Sequence, residues 1–274
     1  VDRLYADKEL PVSELPVPDP GPNGCMLLRD ADNPQHTGLG RRAPHREVIR
    51  PLRVPASVSG IKPRNVEQRF ALDLLLDREV SLVNLLGKAG TGKTLLALAA
   101  GLHQTIDRKA FRRMLVARPI FPMGRDLGYL PGDVEEKLRP WMQPVFDNLE
   151  FLLGDGGESV EGGHPLDQLI DRGLLEVEAL TYIRGRSLPR QFVIVDEAQN
   201  LTPHEVKTVI TRAGEDTKLV LTGDPDQIDN PYVDAASNGL SYASLRLADE
   251  PMAGSINLTR GERSPLAEMA ADRL

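Results

Sequence analysis

The chain has 274 residues, with 33 basic and 40 acidic side chains and a formal net charge of −7. That balance argues against a protein that coats nucleic acid by charge alone, while leaving room for a local basic channel. A single cysteine, Cys25, permits no internal disulfide and fits a reducing, cytoplasmic setting. No apolar run approaches the roughly 18 residues of a membrane span, and no signal-peptide pattern opens the chain. The first residue is Val1, as in a piece of a longer protein.

Residues 1–60 carry Pro11, Pro16, Pro18, Pro20, Pro22, Pro34, Pro44, Pro51 and Pro55 with little helical periodicity. They predict a proline-rich linker to about residue 22, followed by a small β-type appendage with strands at "CMLLRD" and "REVIRPLRV". Arg41, Arg42, His45, Arg46, Arg50 and Arg53 form a local basic run. A solvated or acid-paired face is the favoured reading; a phosphate-contacting surface is the sharper one.

From residue 61 to the C-terminus, strands and helices alternate. "PRNVEQRFALDLLL" places apolar residues at 66, 70, 74 and 75, a helical stripe. Next comes an apolar run, Leu82 to Leu86, leading into G-x-x-x-x-G-K-T at Gly87, Lys88, Ala89, Gly90, Thr91, Gly92, Lys93 and Thr94. An alanine- and leucine-rich helix follows. This strand–loop–helix context makes the pattern a phosphate cradle, in which backbone N–H groups and a helix N-terminus face the phosphates. Lys93 would pair with the β- and γ-phosphates, and Thr94 would ligate Mg²⁺.

"RRMLVARPI" reads as a buried strand ending at Arg118. A helix is predicted from Asp133, with Glu136 closing a capping box and Pro140 and Pro144 expected to kink or interrupt it. "GDGGESVEGGHP" reads as a mobile loop, and "GLLEVEALTYI" and "RQFVIVDE" as strands. "LTPHEVKTVITRA" predicts a helix with Thr202 as N-cap, Pro203 first and Glu205 closing the box. "TKLVLTGD" and "GSINLT" complete a parallel sheet covered by helices on both faces.

Two strand ends carry chemistry. The apolar run before Asp196 and Glu197 presents both carboxylates at a strand C-terminus, where ligands bind in open α/β sheets. Asp196 would hold the Mg²⁺ shell, and Glu197 would accept a proton from the attacking water. In "LVLTGDPDQ", Thr222 and Asp224 lie where they could sense the γ-phosphate. Gln227 could contact that phosphate or the water, although the spacing fits a plain strand-turn equally well.

"GKAGTGKT", "DEAQN" and "TGDPDQ" resemble motifs I, II and III of superfamily 1 helicases. The intervening "ARPIFPMGRDLGYLPGDVEEKLRPWMQPVFDNL" and "YIRGRSLPRQFVIVDEAQNLTPHEVKT", with "LTRGERSPLAEMA" near the end, resemble the PhoH family of ATPases from about residue 60 onward. The resemblance implies a RecA-like P-loop NTPase fold and ATP hydrolysis with Mg²⁺, coupled to work on RNA as a helicase or motor. In fused members of the family a PIN-type ribonuclease domain shares the longer chain, and residues 1–60 resemble the joining segment. A nucleotide-gated regulator that does not unwind RNA is the alternative.

Carried over residue by residue, Gln68 sits where the family places an adenine-reading glutamine; an exposed helix residue is the competing reading. Arg118, Arg184 and Arg186 are candidate RNA contacts, for each of which a structural ion pair is an equal expectation. Too few residues follow Gln227 for a second sheet domain, so the resemblance points to a homo-hexameric ring in which each subunit completes its neighbour's site. Arg260 and Arg263 are the candidate arginines in trans. Arg263 matches the family's arginine in this element, with Ser264 and Pro265 starting the last helix.

Overall fold

The computed structural model describes residues 1–120, 134–154, 164–183 and 185–261. Its N-terminal part is a four-stranded antiparallel sheet of order β1-β4-β3-β2, built from β1 (Leu10–Pro11), β2 (Cys25–Arg29), β3 (Thr37–Arg42) and β4 (Val48–Pro51). The stretch read as a linker is folded at its start. Helix α1 (Asp2–Asp7) buries Leu4, and β1 pairs with β4 through Leu10 and Ile49. Burial of these apolar side chains outweighs the weak local propensity of a proline-rich run. Strand β3 had no sequence signal because Gly38 and Gly40 interrupt its alternation. A Cβ at Gly40 would lie 2.4 Å from the Ile49 side chain, so glycine is what lets β4 approach.

Four arginines of the basic run turn out to be acid-paired. Arg41 is fully buried, with Nε 2.6 Å from Asp73, Nη2 on Asp77 and Nη1 donating to Asn23 Oδ1 at 2.8 Å. Arg50 pairs with Asp77 at 2.5 Å, Arg46 with Glu9 at 2.5 Å and Arg42 with Asp19 at 3.2 Å. Asp73 and Asp77 lie on and just after helix α2 (Val66–Leu76), so Arg41 and Arg50 fasten the small sheet to the main body. At the same place the Lys218 ammonium donates to the carbonyls of Leu74, Asp77 and Val80 at 2.9, 2.7 and 2.5 Å. It thereby satisfies backbone acceptors at and beyond the end of α2.

The main body is a RecA-like layer fold. Strands β5 (Leu82–Gly87), β6 (Arg113–Arg118), β7 (Leu175–Ala179), β8 (Gln191–Val195), β9 (Lys218–Gly223) and β10 (Ala253–Leu258) form one sheet of order β10-β5-β9-β8-β6-β7. Every pairing in it is parallel. Alternate residues feed two cores. Val83, Leu85, Val116, Phe192 and Ile194 pack with α2, α3 (Lys93–Leu102), α4 (Val134–Leu153) and α5 (Pro165–Asp171). On the opposite face Leu82, Val193, Val195, Leu219 and Leu221 pack with α6 (Pro203–Ile210) and α7 (Gly239–Arg246). Both faces are covered, as a parallel sheet requires.

Helix α6 has the predicted capping box: Thr202 accepts from the Glu205 N–H while Glu205 takes the Thr202 N–H. Helix α4, by contrast, is not interrupted at Pro140 or Pro144. Both prolines are exposed, so water can satisfy the carbonyls that lose an N–H partner. The Asp133–Glu136 box, the loop around 155–163, Arg184 and the element from 262 onward, with Arg263, lie outside the described residues.

Candidate functional site

The order of the sheet brings the three motif loops together. Strand β9 lies between β5 and β8, so the loop after β5, the carboxylates after β8 and the turn after β9 share one C-terminal edge. Helix α3 starts at the motif lysine, with Gly92 as N-cap at φ 91°, a left-handed conformation that disfavours any side chain. Lys93 is 8% exposed, and its ammonium donates to the carbonyls of Gly87 and Lys88 at 2.6 and 2.9 Å. The Thr91 hydroxyl also donates to Lys88 O, at 2.9 Å, and the Ala89 N–H to Asp224 Oδ2, at 2.9 Å. The loop is thus fixed by its own residues and by the β9 turn, with a positive helix end behind it.

Asp196 Oδ1 accepts from the Thr94 hydroxyl at 2.8 Å and the Thr222 hydroxyl at 2.6 Å. A hydroxyl and a carboxylate this close can face one hard divalent cation, and magnesium accepts such a sparse protein contribution because it keeps waters and phosphate oxygens. Among the described residues no group of three or more His, Cys, Asp or Glu side chains could hold a metal by itself. The donor set therefore fits Mg²⁺ bound together with a polyphosphate.

Glu197 sits at φ 56°, a left-handed conformation uncommon for a residue that carries a Cβ. Its Oε2 accepts from Gln199 Nε2 at 2.5 Å and its Oε1 from Arg118 Nη2 at 3.1 Å. Burial raises its proton affinity, and neighbouring Asp196 adds to this; Gln199, Arg118 and Lys93 oppose it. A carboxylate with raised affinity beside a phosphate cradle suits proton acceptance.

Gln199 escaped the sequence reading. It is fully buried in the short turn after β8, accepts from the Asp224 N–H at 3.2 Å and donates to Gln227 O at 2.8 Å as well as to Glu197. One amide thus ties the β8 acids to the β9 turn. It stands within "DEAQN", but the motif alone does not say that this amide joins two loops.

The other sequence candidates divide. Gln227 lines the cleft and is exposed there. Gln68 is buried, not exposed, and also lines the cleft; its Oε1 accepts from the Arg64 N–H at 2.8 Å and its Nε2 donates to Thr91 O at 3.2 Å. Arg118 is brought to Glu197. Arg186 bridges Glu176 and Glu178 on β7 at 3.2 and 2.7 Å, the ion-pair alternative. Arg260 donates its backbone N–H to Glu67 at 3.4 Å. The whole cleft encloses about 720 Å³, running from Lys62 and Arg64 past Phe151 to Glu197 and Gln227. No helix among the described residues is long and apolar enough to cross a membrane.

A family model described as "PhoH-like protein" matches residues 60–272. The chain is similar to Protein PhoH2 of Bacillus subtilis (strain 168), 50% identical over 273 residues, covering 99% of this chain and 61% of that protein. It is also similar to Protein PhoH2 of Mycolicibacterium smegmatis, 42% identical over 275 residues, covering 100% and 60%. A PhoH-like protein of Bacillus subtilis is 39% identical over 162 residues, 59% of this chain and 47% of the relative. The chain therefore spans about three-fifths of the length of the PhoH2 relatives. Among solved structures, the UvsW helicase of bacteriophage T4 aligns at a TM-score of 0.42 and 14% identity, covering 73% of this chain and 61% of that one.

Proposed function

Because the chain belongs to the PhoH-like protein family, we propose that it is a Mg²⁺-dependent ATPase whose turnover drives work on RNA. The observation that carries the ATPase part of this reading is the Thr94–Asp196 contact of 2.8 Å beside Glu197; work on RNA rests on the family resemblance. Lys93 and the loop N–H groups would hold the β- and γ-phosphates, and Thr94 and Asp196 the Mg²⁺, which neutralises developing phosphate charge when bound. Glu197 would take the proton of the attacking water, with Gln227 at the same cleft edge. The family resemblance makes a PIN-type ribonuclease domain in a longer chain part of the proposal. So is a homo-hexameric ring in which Arg263 acts on a neighbour's site.

The test is ATP turnover by this chain with and without single-stranded RNA or DNA. RNA-stimulated turnover that vanishes in Lys93→Ala is the expected result, with loss of about 10²-fold or more. A parental rate in Lys93→Ala would rule out the phosphate-loop assignment. One observation favours the alternative, a nucleotide-gated regulator that does not unwind RNA: the described RNA candidate Arg186 is engaged in ion pairs with Glu176 and Glu178 within the chain. Turnover indifferent to RNA would favour it further.

A further inference from the structure

Glu197 must be free to receive a proton, yet both of its oxygens are engaged. Arg118 ends β6, the strand next to β8, with Ala117 in register with Val195. Its guanidinium therefore reaches Glu197 across the sheet edge, Nη2 to Oε1 at 3.1 Å, while Nη1 donates to the Trp141 carbonyl of α4 at 3.2 Å. Gln199 takes the other oxygen at 2.5 Å. The Arg118 and Glu197 side chains are 21% and 33% exposed, so solvent anions can reach the guanidinium.

We infer that Arg118 is a positioning residue that holds Glu197 out of use and releases it when a backbone phosphate of bound RNA takes the guanidinium. This rests on the proposed RNA-stimulated ATPase. A guanidinium offers a planar fork of N–H donors that suits phosphate oxygens as well as a carboxylate, so exchanging one partner for the other keeps its hydrogen bonds. Loss of Arg118 leaves Glu197 Oε1 available to the attacking water, while the Gln199 contact still aims the carboxylate. Arg118 also rests on α4, so the exchange would be felt at the helix that carries Asn148 and Phe151 into the cleft. Polynucleotide binding and hydrolysis are thereby coupled through one side chain.

The experiment measures ATP turnover with Mg²⁺ by the parental chain, Arg118→Met and Arg118→Gln, each with and without single-stranded poly(U) RNA. Both variants should raise the RNA-free kcat about fivefold or more, the scale of an ordinary coupling between sites. The KM for ATP should move less than about twofold, because the nucleotide contacts are untouched. Added RNA should then stimulate the variants no further. An unchanged or lower RNA-free kcat, in a variant melting at the parental temperature, overturns the proposal; if the Met variant does not fold, the Gln variant is judged alone. A parental chain indifferent to RNA beside a raised variant rate sustains the hold on Glu197 but overturns RNA as what releases it, together with the RNA reading. A parental chain stimulated by RNA, beside variants stimulated from the parental baseline, overturns the hold and leaves the RNA reading standing.

Discussion

The Thr94 hydroxyl donates to Asp196 Oδ1 at 2.8 Å, although 102 positions separate the two residues. Only the lateral order β5-β9-β8 makes this contact, and Thr222 from the middle strand joins it at 2.6 Å. Helix α3, strand β9 and the end of β8 thus meet at one carboxylate oxygen, while the next carboxylate, Glu197, is bound by Arg118 and Gln199. Neighbouring acids in the chain consequently have separate tasks.

That separation predicts the behaviour of Glu197→Gln. Nucleotide and Mg²⁺ binding, which use the loop and Asp196, should persist in calorimetry. Turnover should fall by about 10²-fold or more, the scale of a lost general base. A parallel loss of affinity and rate would contradict the division of roles.

Gln199→Ala should injure both stability and rate. It strips a partner from the Asp224 N–H and the Gln227 carbonyl and removes the contact that aims Glu197. The expected costs are about 1–3 kcal/mol of unfolding free energy, from buried polar groups left unpaired, and roughly tenfold in kcat, an ordinary orientation effect. Urea unfolding and steady-state turnover measure the two; a variant with parental kcat would show that Gln199 only supports the fold.

Lys218 gives a pH signature. Burial pulls its ammonium down to about 7, against the attraction of Asp77 and Asp73. The folded value lies below the ordinary lysine value, so the unfolded chain binds more protons between the two. The charged form therefore penalises folding fully below pH 7, and the penalty is relieved as pH rises toward the ordinary value. The stability difference between the parental chain and Lys218→Met, from urea unfolding, should shift in favour of the parental chain from pH 7 to pH 9. A difference that stays constant over that range would count against a depressed Lys218.

The proposed ring is tested by complementation. Arg263→Ala should retain assembly and ATP binding in light scattering and calorimetry but lose roughly 10³-fold or more in turnover, as arginines supplied in trans do in phosphoryl transfer. Mixing it with Glu197→Gln subunits should restore part of the rate, since some interfaces then pair an intact Arg263 with an intact Glu197. A fully active monomer would dispose of the ring.

The sequence by itself determined the elements whose signals are local. The phosphate loop is legible because glycines, lysine and threonine must fall at fixed spacing between a strand and a helix. The β8 and β9 strand ends are legible as apolar runs closed by acids, and α6 through its capping box. Tertiary structure alone decided what the charged and polar side chains meet. Arg118 and Glu197 are 79 positions apart, Gln199 and Gln227 28, and Lys218 and Val80 138. Such partnerships follow from the lateral order of strands in the sheet, and each strand's own pattern of apolar residues is the same whichever neighbours it takes. For the same reason the arginines near the N-terminus could be read as a run but not as a clamp. Their partners, Asp73 and Asp77, lie on and just after a helix whose apolar stripe says only which side faces the core, and docking the small sheet against that helix is what buried Arg41.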